Sequence, residues 1–354
     1  MHTLKYIKSL DGLRAIAVLL VIIHHWLPPN NPLNLLPNGM IGVTIFFVLS
    51  GFLISQILFQ YKSKVESNEI SMKKAIYIFY IRRSLRIFPI YYLYIFFFYF
   101  YGYKVINENF IYFLTYTSNI LFFLKDVNST VDHLWTLAVE EQYYFIWPFI
   151  VLLIPVRYLK PTVIYFILIG IISQYVLNLY FERGGILTFT AFDSFGLGAL
   201  LAYYNFYFKE KLVNFNRFLL AIYALIFTMI LINLFTELYL PISWRFVVSL
   251  IATSLIMYLN KSSESRSFFS LKKILENNAL VAIGTISYGI YLYHTMVPGL
   301  MDNFYEYIDG SNLIFKNFYL KFTLNFIVVL VISKISWEII ERPINSLKNR
   351  FQLS

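Results

Sequence analysis

Residues 10–28 read LDGLRAIAVLLVIIHHWLP. Between Leu13 and Leu27 the run holds one arginine near its start, two adjacent histidines near its end, and otherwise only apolar side chains. About 20 such residues carry a helix across the hydrocarbon core of a bilayer. No small-residue cleavage site follows and further apolar runs do, so the stretch reads as a first membrane span and not as a signal peptide. Moving outward, apolar stretches recur at 39–60, 76–100, 110–124, 134–155, 161–180, 186–208, 218–236, 242–260, 279–300 and 317–340. With 11–28 they make eleven candidate spans.

The composition agrees. Of 354 residues, 59% are hydrophobic and 14% charged, against roughly 45–50% and about 25% in an ordinary soluble domain. Runs such as 94–101 (YIFFFYFY) leave no polar face for water. Phe and Tyr replace Leu and Ala throughout, so the 30 tyrosines are not read as thirty functional residues. The net charge of +10 comes from short basic patches between apolar runs, without a basic tail or face, which argues against nucleic-acid binding. With no cysteine there are no disulfides, thiolate metal sites or cysteine nucleophiles.

Charge also sets an expected topology. The stretch 110–124 is short and carries Thr115, Thr117, Ser118 and Asn119, as re-entrant or interfacial segments do. If it does not cross, eighteen Lys/Arg fall on one side, in patches around Lys5, Lys62, Arg157, Lys209, Lys261 and Arg342. Six fall on the other, among them Lys316 and Arg245, beside Asp302, Glu306 and Asp309. The positive-inside rule then selects ten spans, both termini cytoplasmic, and an external segment 101–133 that dips into the membrane. The expected fold class is an all-α, polytopic integral membrane helix bundle of about ten transmembrane helices in one membrane domain, 1–354. Its expected place is the plasma (inner) membrane.

Ionisable groups inside spans are costly, which makes them functional candidates. Arg14 and His25 are eleven residues apart, about 20° past three full helical turns and roughly 16 Å along the axis, so they share one face. His24 points about 100° away. The plainer account has Arg14 snorkelling to the interface and His25 bonded to a neighbouring helix. Arg82, Arg83 and Arg86 are spaced to cluster on one helical face, which suits a phosphate. Anchoring at the interface accounts for Arg82 equally well, and less well for Arg86, a turn deeper. The run HLWTLAVEEQYY places His133 on the face of Glu140, beside Glu141 and within reach of Trp135, Tyr143 and Tyr144. Two adjacent carboxylates need partners if buried, and a structural ion pair with Arg14 or an arginine of the third span is nearly as good an explanation as catalysis. His294 reads as a cavity or interhelical residue, and Glu341 as part of a cytoplasmic loop network.

In order along the chain, LDGLRAIAVLLVIIHH, GVTIFFVLSGFLIS, RRSLRIFPIYYL, HLWTLAVEEQYYFIWP, ISYGIYLYH and the terminal ERP resemble the integral-membrane acyltransferase 3 family, from Leu10 to Pro343. The resemblance implies O-acylation: acyl-CoA, usually acetyl-CoA from the cytoplasm, is the cosubstrate, and a hydroxyl of a cell-surface polysaccharide, a lipid-linked glycan or another glycan is the acceptor. It places the family's first-span arginine and histidine on Arg14 and His25, its Arg-x-x-Arg on Arg83 and Arg86, and its Trp-Ser-Leu-x-x-Glu-Glu on Trp135 to Glu141. Thr136 stands where the family prefers Ser, and Thr44 where many members carry Asp. Many relatives carry a fused esterase domain of SGNH type that this sequence lacks, so the chain is expected to finish transfer itself or to hand the acyl group to a separate extracytoplasmic esterase-like partner.

Together these readings give Arg82, Arg83 and Arg86 as the acyl-CoA phosphate site. His25, Arg14, Glu140 and Glu141 are the expected catalytic group, with His25 as general base or as nucleophile. Trp135, Tyr143, Tyr144 and His133 are the expected sugar contacts, and no metal is expected. Two other readings stand beside this one: a polysaccharide exporter or flippase, and an acyltransferase for a small-molecule or lipid acceptor.

Overall fold

The computed structural model describes residues 6–125, 129–238, 240–260, 270–308 and 317–351. Lys5, Lys261, Asp309 and Lys316, used above as orientation signals, lie outside the described residues. Among the described residues all regular structure is helical, with no strand. Five helices or helical runs are long and apolar enough to cross a bilayer: Lys8–Trp26, Asn38–Glu66, Val156–Tyr180, Lys209–Phe235 and Phe318–Arg350. The chain is therefore a multi-pass, all-α membrane protein.

By chain contacts the protein divides into two compact units. One comprises Met1–Ile7, Thr44–Glu69 and Tyr143–Glu264; the other Lys8–Val43, Ile70–Gln142 and Ser265–Ser354. The first is built on α8 (Val156–Tyr180), α9 (Phe192–Tyr207), α10 (Leu212–Phe235) and α11 (Trp244–Asn260), with α2 (Asn38–Glu66) from Thr44 on and α7 (Leu134–Leu153) from Tyr143 on; the earlier residues of these two helices belong to the second unit. Within the first unit Arg245 donates to the carbonyls of Gly185 (2.8 Å) and Thr190 and lies 3.7 Å from Asp193, so this buried cation is neutralised and hydrogen-bonded in place.

The second unit is organised around α1 (Lys8–Trp26), a single unbroken helix. Its first turn packs against α12 (Leu271–Leu275) and α13 (Asn278–Thr285) at backbone distance. A Cβ added to Gly12 would run into the main chain of Leu275, and one added to Gly284 into the main chain of Asp11. The glycine of the DGLR run is thus what lets α1 sit this close. The third apolar run forms α3 (Met72–Phe100), opened by the Ser71 side chain accepting from the Lys74 N–H.

The stretch 101–133, expected to lie outside and not to cross, holds α4 (Lys104–Glu108), α5 (Phe110–Leu114) and α6 (Ser118–Leu124), and none of these is long enough to span a bilayer alone. One expected element comes out differently in detail. The expected span 279–300 is not one helix. It breaks into α13, α14 (Ser287–Tyr293) and α15 (Met296–Ile308). Gly284 followed by Thr285 and Ile286 is a poor helical run, and the ring of Pro298 excludes an N–H bond to the carbonyl of His294 four residues earlier. The last apolar run forms α16 (Phe318–Ser336), a π-helical turn Trp337–Glu341 and α17 (Arg342–Ser346).

Candidate active site

Because α1 is continuous, Arg14 and His25 keep the shared face expected from their spacing. Arg14 is ion-paired with Asp11 one turn earlier, which gives its guanidinium a carboxylate within the same helix and not one from α7. At the other end His24 and His25 occupy the last turn, and both are exposed. His24 rests against Gly39, where a Cβ would collide with its ring.

Behind His25 lies a group of imidazoles. The ring of His294 is 4.9 Å from that of His25, centroid to centroid, and 5.0 Å from that of His133. His294 is fully buried and His133 is 3% exposed, while His25 is open on its outer side. Local chemistry fixes the two buried rings. His294 Nδ1 is 2.6 Å from the Tyr291 carbonyl, and His133 Nδ1 is 3.2 Å from Thr295 Oγ1. The Tyr291 hydroxyl lies 2.6 Å from Thr136 Oγ1 and donates to the His133 carbonyl at 3.2 Å. Thr136, the position where the family prefers Ser, thus uses its hydroxyl to tie α7 to α14. Nε2 of both His133 and His294 is buried and meets no hydrogen-bond partner among the described residues.

A second polar group lies around the arginines of α3. Tyr288, in the first turn of α14, donates to the Ile87 carbonyl at 3.3 Å and sits within electrostatic range of Glu140, Glu141 and Glu341. Arg83 is in range of Glu141, and Arg86 of Glu341. Lys348 joins Arg82, Arg83 and Arg86, which makes four cations in one neighbourhood. Arg82 is committed elsewhere: its Nη1 donates to the carbonyls of Lys348 (3.2 Å) and Phe351 (3.0 Å), holding the C-terminal turn on α3. Arg83 lies 5.9 Å from the Phe79 ring centroid, and Arg86 is exposed. Beside the carboxylates, Gln142 donates to the Tyr116 carbonyl (2.7 Å) and Asn119 Oδ1 (2.9 Å), fixing α7 to the α5–α6 hairpin. Tyr288, Tyr291 and His294 are three residues apart in turn, so α14 links the arginine group to the histidine group.

The structure brings His25, His133, Glu140, Glu141, Arg83 and Arg86 into one unit and adds His294, Tyr288, Tyr291 and Lys348, which sequence reasoning left outside the site. The run ISYGIYLYH carried the signal for three of these four. Trp135 stands half-buried in the first turn of α7. Tyr143 and Tyr144 belong to the other unit and are buried there. Tyr143 stacks on Phe195 at 4.1 Å and on Trp147 at 5.4 Å, and the Tyr144 hydroxyl is 2.9 Å from Ser50 Oγ. The Tyr143 ring is 1% exposed and packed among the chain's own aromatics.

The chain is similar along its length to curated bacterial proteins. It is 31% identical over 381 residues to the peptidoglycan O-acetyltransferase OatA of Listeria monocytogenes, an alignment covering 99% of this chain and 57% of that protein. A protein of Bacillus subtilis provisionally named a peptidoglycan O-acetyltransferase is also 31% identical, over 97% of this chain and 55% of its own length. One of Staphylococcus aureus, provisionally named an O-acetyltransferase, is 29% identical over 96% and 57%. The chain thus spans little more than half the length of these relatives, and no solved structure matches it. The model of the acyltransferase domain matches residues 7–337, a range that holds Arg14, all three buried or half-open histidines of the cluster, the α3 arginines and both carboxylates of α7. The chain belongs to the acyltransferase 3 family.

Proposed function

We propose that the protein is a membrane O-acetyltransferase that moves an acetyl group from acetyl-CoA to a hydroxyl of a cell-envelope glycan. The carrying observation is the placement of His25: an accessible imidazole at the end of α1, backed by buried His294 and His133. The relatives named for peptidoglycan O-acetylation favour a glycan acceptor.

In this reading Arg83, Arg86 and Lys348 hold the phosphates of the donor, because a cluster of basic groups suits a polyanion. Arg14 orders the mouth of α1 through Asp11. His25 acts as general base: it takes the proton of the acceptor hydroxyl as that oxygen attacks the thioester carbonyl. The new C–O bond forms, the C–S bond breaks, and the thiolate of CoA recovers the proton. Should His25 act instead as the nucleophile, CoA is released once per chain before acceptor is added. Glu140 and Glu141 bind acceptor hydroxyls or orient neighbouring donors. The donor reaches the site from the cytoplasm, with both termini on that side and ten crossings.

The test uses the purified chain in lipid nanodiscs with acetyl-CoA and soluble peptidoglycan fragments. His25→Ala should abolish transfer while the protein still inserts and remains monodisperse. Turnover at the wild-type rate by that variant ends the proposal. Transfer seen only after adding an extracytoplasmic esterase-like protein assigns the final step to that partner. Movement of glycan without CoA release favours an exporter.

A further inference from the structure

The acyl-transfer chemistry above uses His25 and leaves His294 idle, yet His294 is the most deeply buried titratable side chain of the histidine group. A polar ring placed in a membrane protein's interior is costly unless its nitrogens are used. A histidine that only fills space has both of them satisfied. His294 has one. Its Nδ1 faces the Tyr291 carbonyl at 2.6 Å, and a carbonyl oxygen only accepts, so Nδ1 carries the hydrogen and Nε2 carries the lone pair. That Nε2 is buried and meets no hydrogen-bond partner among the described residues.

The ring is also held in place. Tyr291, whose carbonyl fixes the tautomer, is itself tied by its hydroxyl to Thr136 and to the His133 carbonyl. The exposed imidazole of this three-ring group, His25, lies 4.9 Å from His294, centroid to centroid and tilted by 60°. The two rings are therefore direct neighbours. On its far side His294 meets His133, whose Nε2 is likewise buried and unpartnered among the described residues.

We infer that His294 is a positioning residue acting through His25, the second imidazole of a proton relay whose Nε2 receives a proton that His25 passes inward. The inference rests on the reading of His25 as general base. As the acceptor oxygen attacks the thioester, its proton goes to one nitrogen of His25 and the hydrogen on the other nitrogen goes to His294 Nε2. The C–O bond forms and the C–S bond breaks. The positive charge rests on His294, away from the reacting carbonyl, until the same two transfers run in reverse and deliver a proton to the CoA thiolate. All groups end in their starting protonation states, with the acceptor's proton now on sulfur.

His294→Asn separates this role from a structural one, because its amide can keep the donor to the Tyr291 carbonyl while offering no base. With the full chain in nanodiscs, acetyl-CoA as donor and soluble peptidoglycan fragments as acceptor, kcat should fall about 100-fold while KM for acetyl-CoA stays within about twofold. In the wild type the dependence of kcat on deuterium fraction should be bowed, as for two protons in flight, and in His294→Asn it should be linear. Wild-type kcat in the Asn variant overturns the relay alone. If that variant does not insert, a linear deuterium dependence in the wild type overturns it. Failure of the wild-type chain to release CoA from acetyl-CoA overturns the acetyl-transfer reading and the relay with it.

Discussion

The indole N–H of Trp26 donates to the main-chain carbonyl of His294 at 2.8 Å. That carbonyl is the one Pro298 leaves without its helical donor, since proline four residues on has no N–H to give. In a bilayer an orphan carbonyl must find another partner. The tryptophan that follows His25 supplies it, and so fixes the end of α1 to the break between α14 and α15. Trp26→Phe keeps most of the apolar volume, including the edge-on packing against Phe322 at 5.5 Å, and removes the donor. We expect a loss of about 1–3 kcal/mol, read as a lower unfolding temperature in detergent. A fall in kcat should accompany it, because the His25–His294 spacing is no longer pinned. An unchanged melting curve would show that the carbonyl is satisfied by other means.

The arginines of α3 should separate by role. Arg82 is spent on the carbonyls of Lys348 and Phe351, whereas Arg83, Arg86 and Lys348 remain grouped as cations. With acetyl-CoA as the proposed donor, Arg83→Gln and Arg86→Gln should each raise its KM about 10- to 100-fold, the equivalent of one charge-assisted hydrogen bond of about 1.5–3 kcal/mol. Arg82→Gln should act chiefly on stability and on protease resistance of the C-terminal turn. Titration with CoA and with dephospho-CoA distinguishes the two. If Arg82→Gln weakens binding as much as the other two substitutions and leaves the C-terminus protected, the division of labour is wrong.

How far these features were legible in the sequence varies with the distance over which each is decided. Apolar run length and the arginine–histidine spacing are local properties of α1, and they gave its extent and its shared face directly. The break in the expected span 279–300 was also written locally, in Gly284 and Pro298, but hydropathy counts apolar residues and is blind to a missing N–H. The histidine group was not legible. His25, His133 and His294 are brought together only by packing of α1, α7 and α14, and no spacing rule joins residues so far apart. Arg82 shows the same limit, because its i,i+4 relation to Arg86 groups it with a ligand site until carbonyls some 266 residues away claim it. Tyr143 looked like a sugar platform from its place in an aromatic-rich motif. Its ring is buried and stacks on Phe195 and Trp147.

Removing the Tyr291 hydroxyl tests how the buried imidazoles are held. Tyr291→Phe leaves the carbonyl that faces His294 untouched and deletes the contacts to Thr136 Oγ1 and the His133 carbonyl. We expect about 1 kcal/mol of destabilisation for the lost hydrogen bond and a reduced kcat with little change in KM for acetyl-CoA. Thr136→Ser should behave as wild type because it retains the hydroxyl, and Thr136→Val should resemble Tyr291→Phe. Combining Thr136→Val with Tyr291→Phe should cost less than the sum of the two, since both remove the same bond. Full additivity of the two effects would show that the residues act separately.

The backbone contact of α1 with α12 and α13 sets the last expectation. Gly12 has no room for a methyl group, because the Leu275 carbonyl occupies the position a Cβ would take, and Gly284 faces the Asp11 carbonyl in the same way. Neither neighbour is a flexible side chain that can swing aside, so Gly12→Ala or Gly284→Ala must push α1 off its partners. Overpacking of this kind costs typically about 1–3 kcal/mol and occasionally more. Moving α1 also moves the Arg14–Asp11 pair at its start and His25 at its end. Both variants should therefore lose folded protein in detergent, and whatever survives should turn over slowly. Gly299 is the control: it lies within α15 with nothing near the position of an added Cβ, so Gly299→Ala should be neutral or stabilising by up to about 1 kcal/mol. Equal behaviour of Gly12→Ala and Gly299→Ala would mean that α1 does not depend on the close approach.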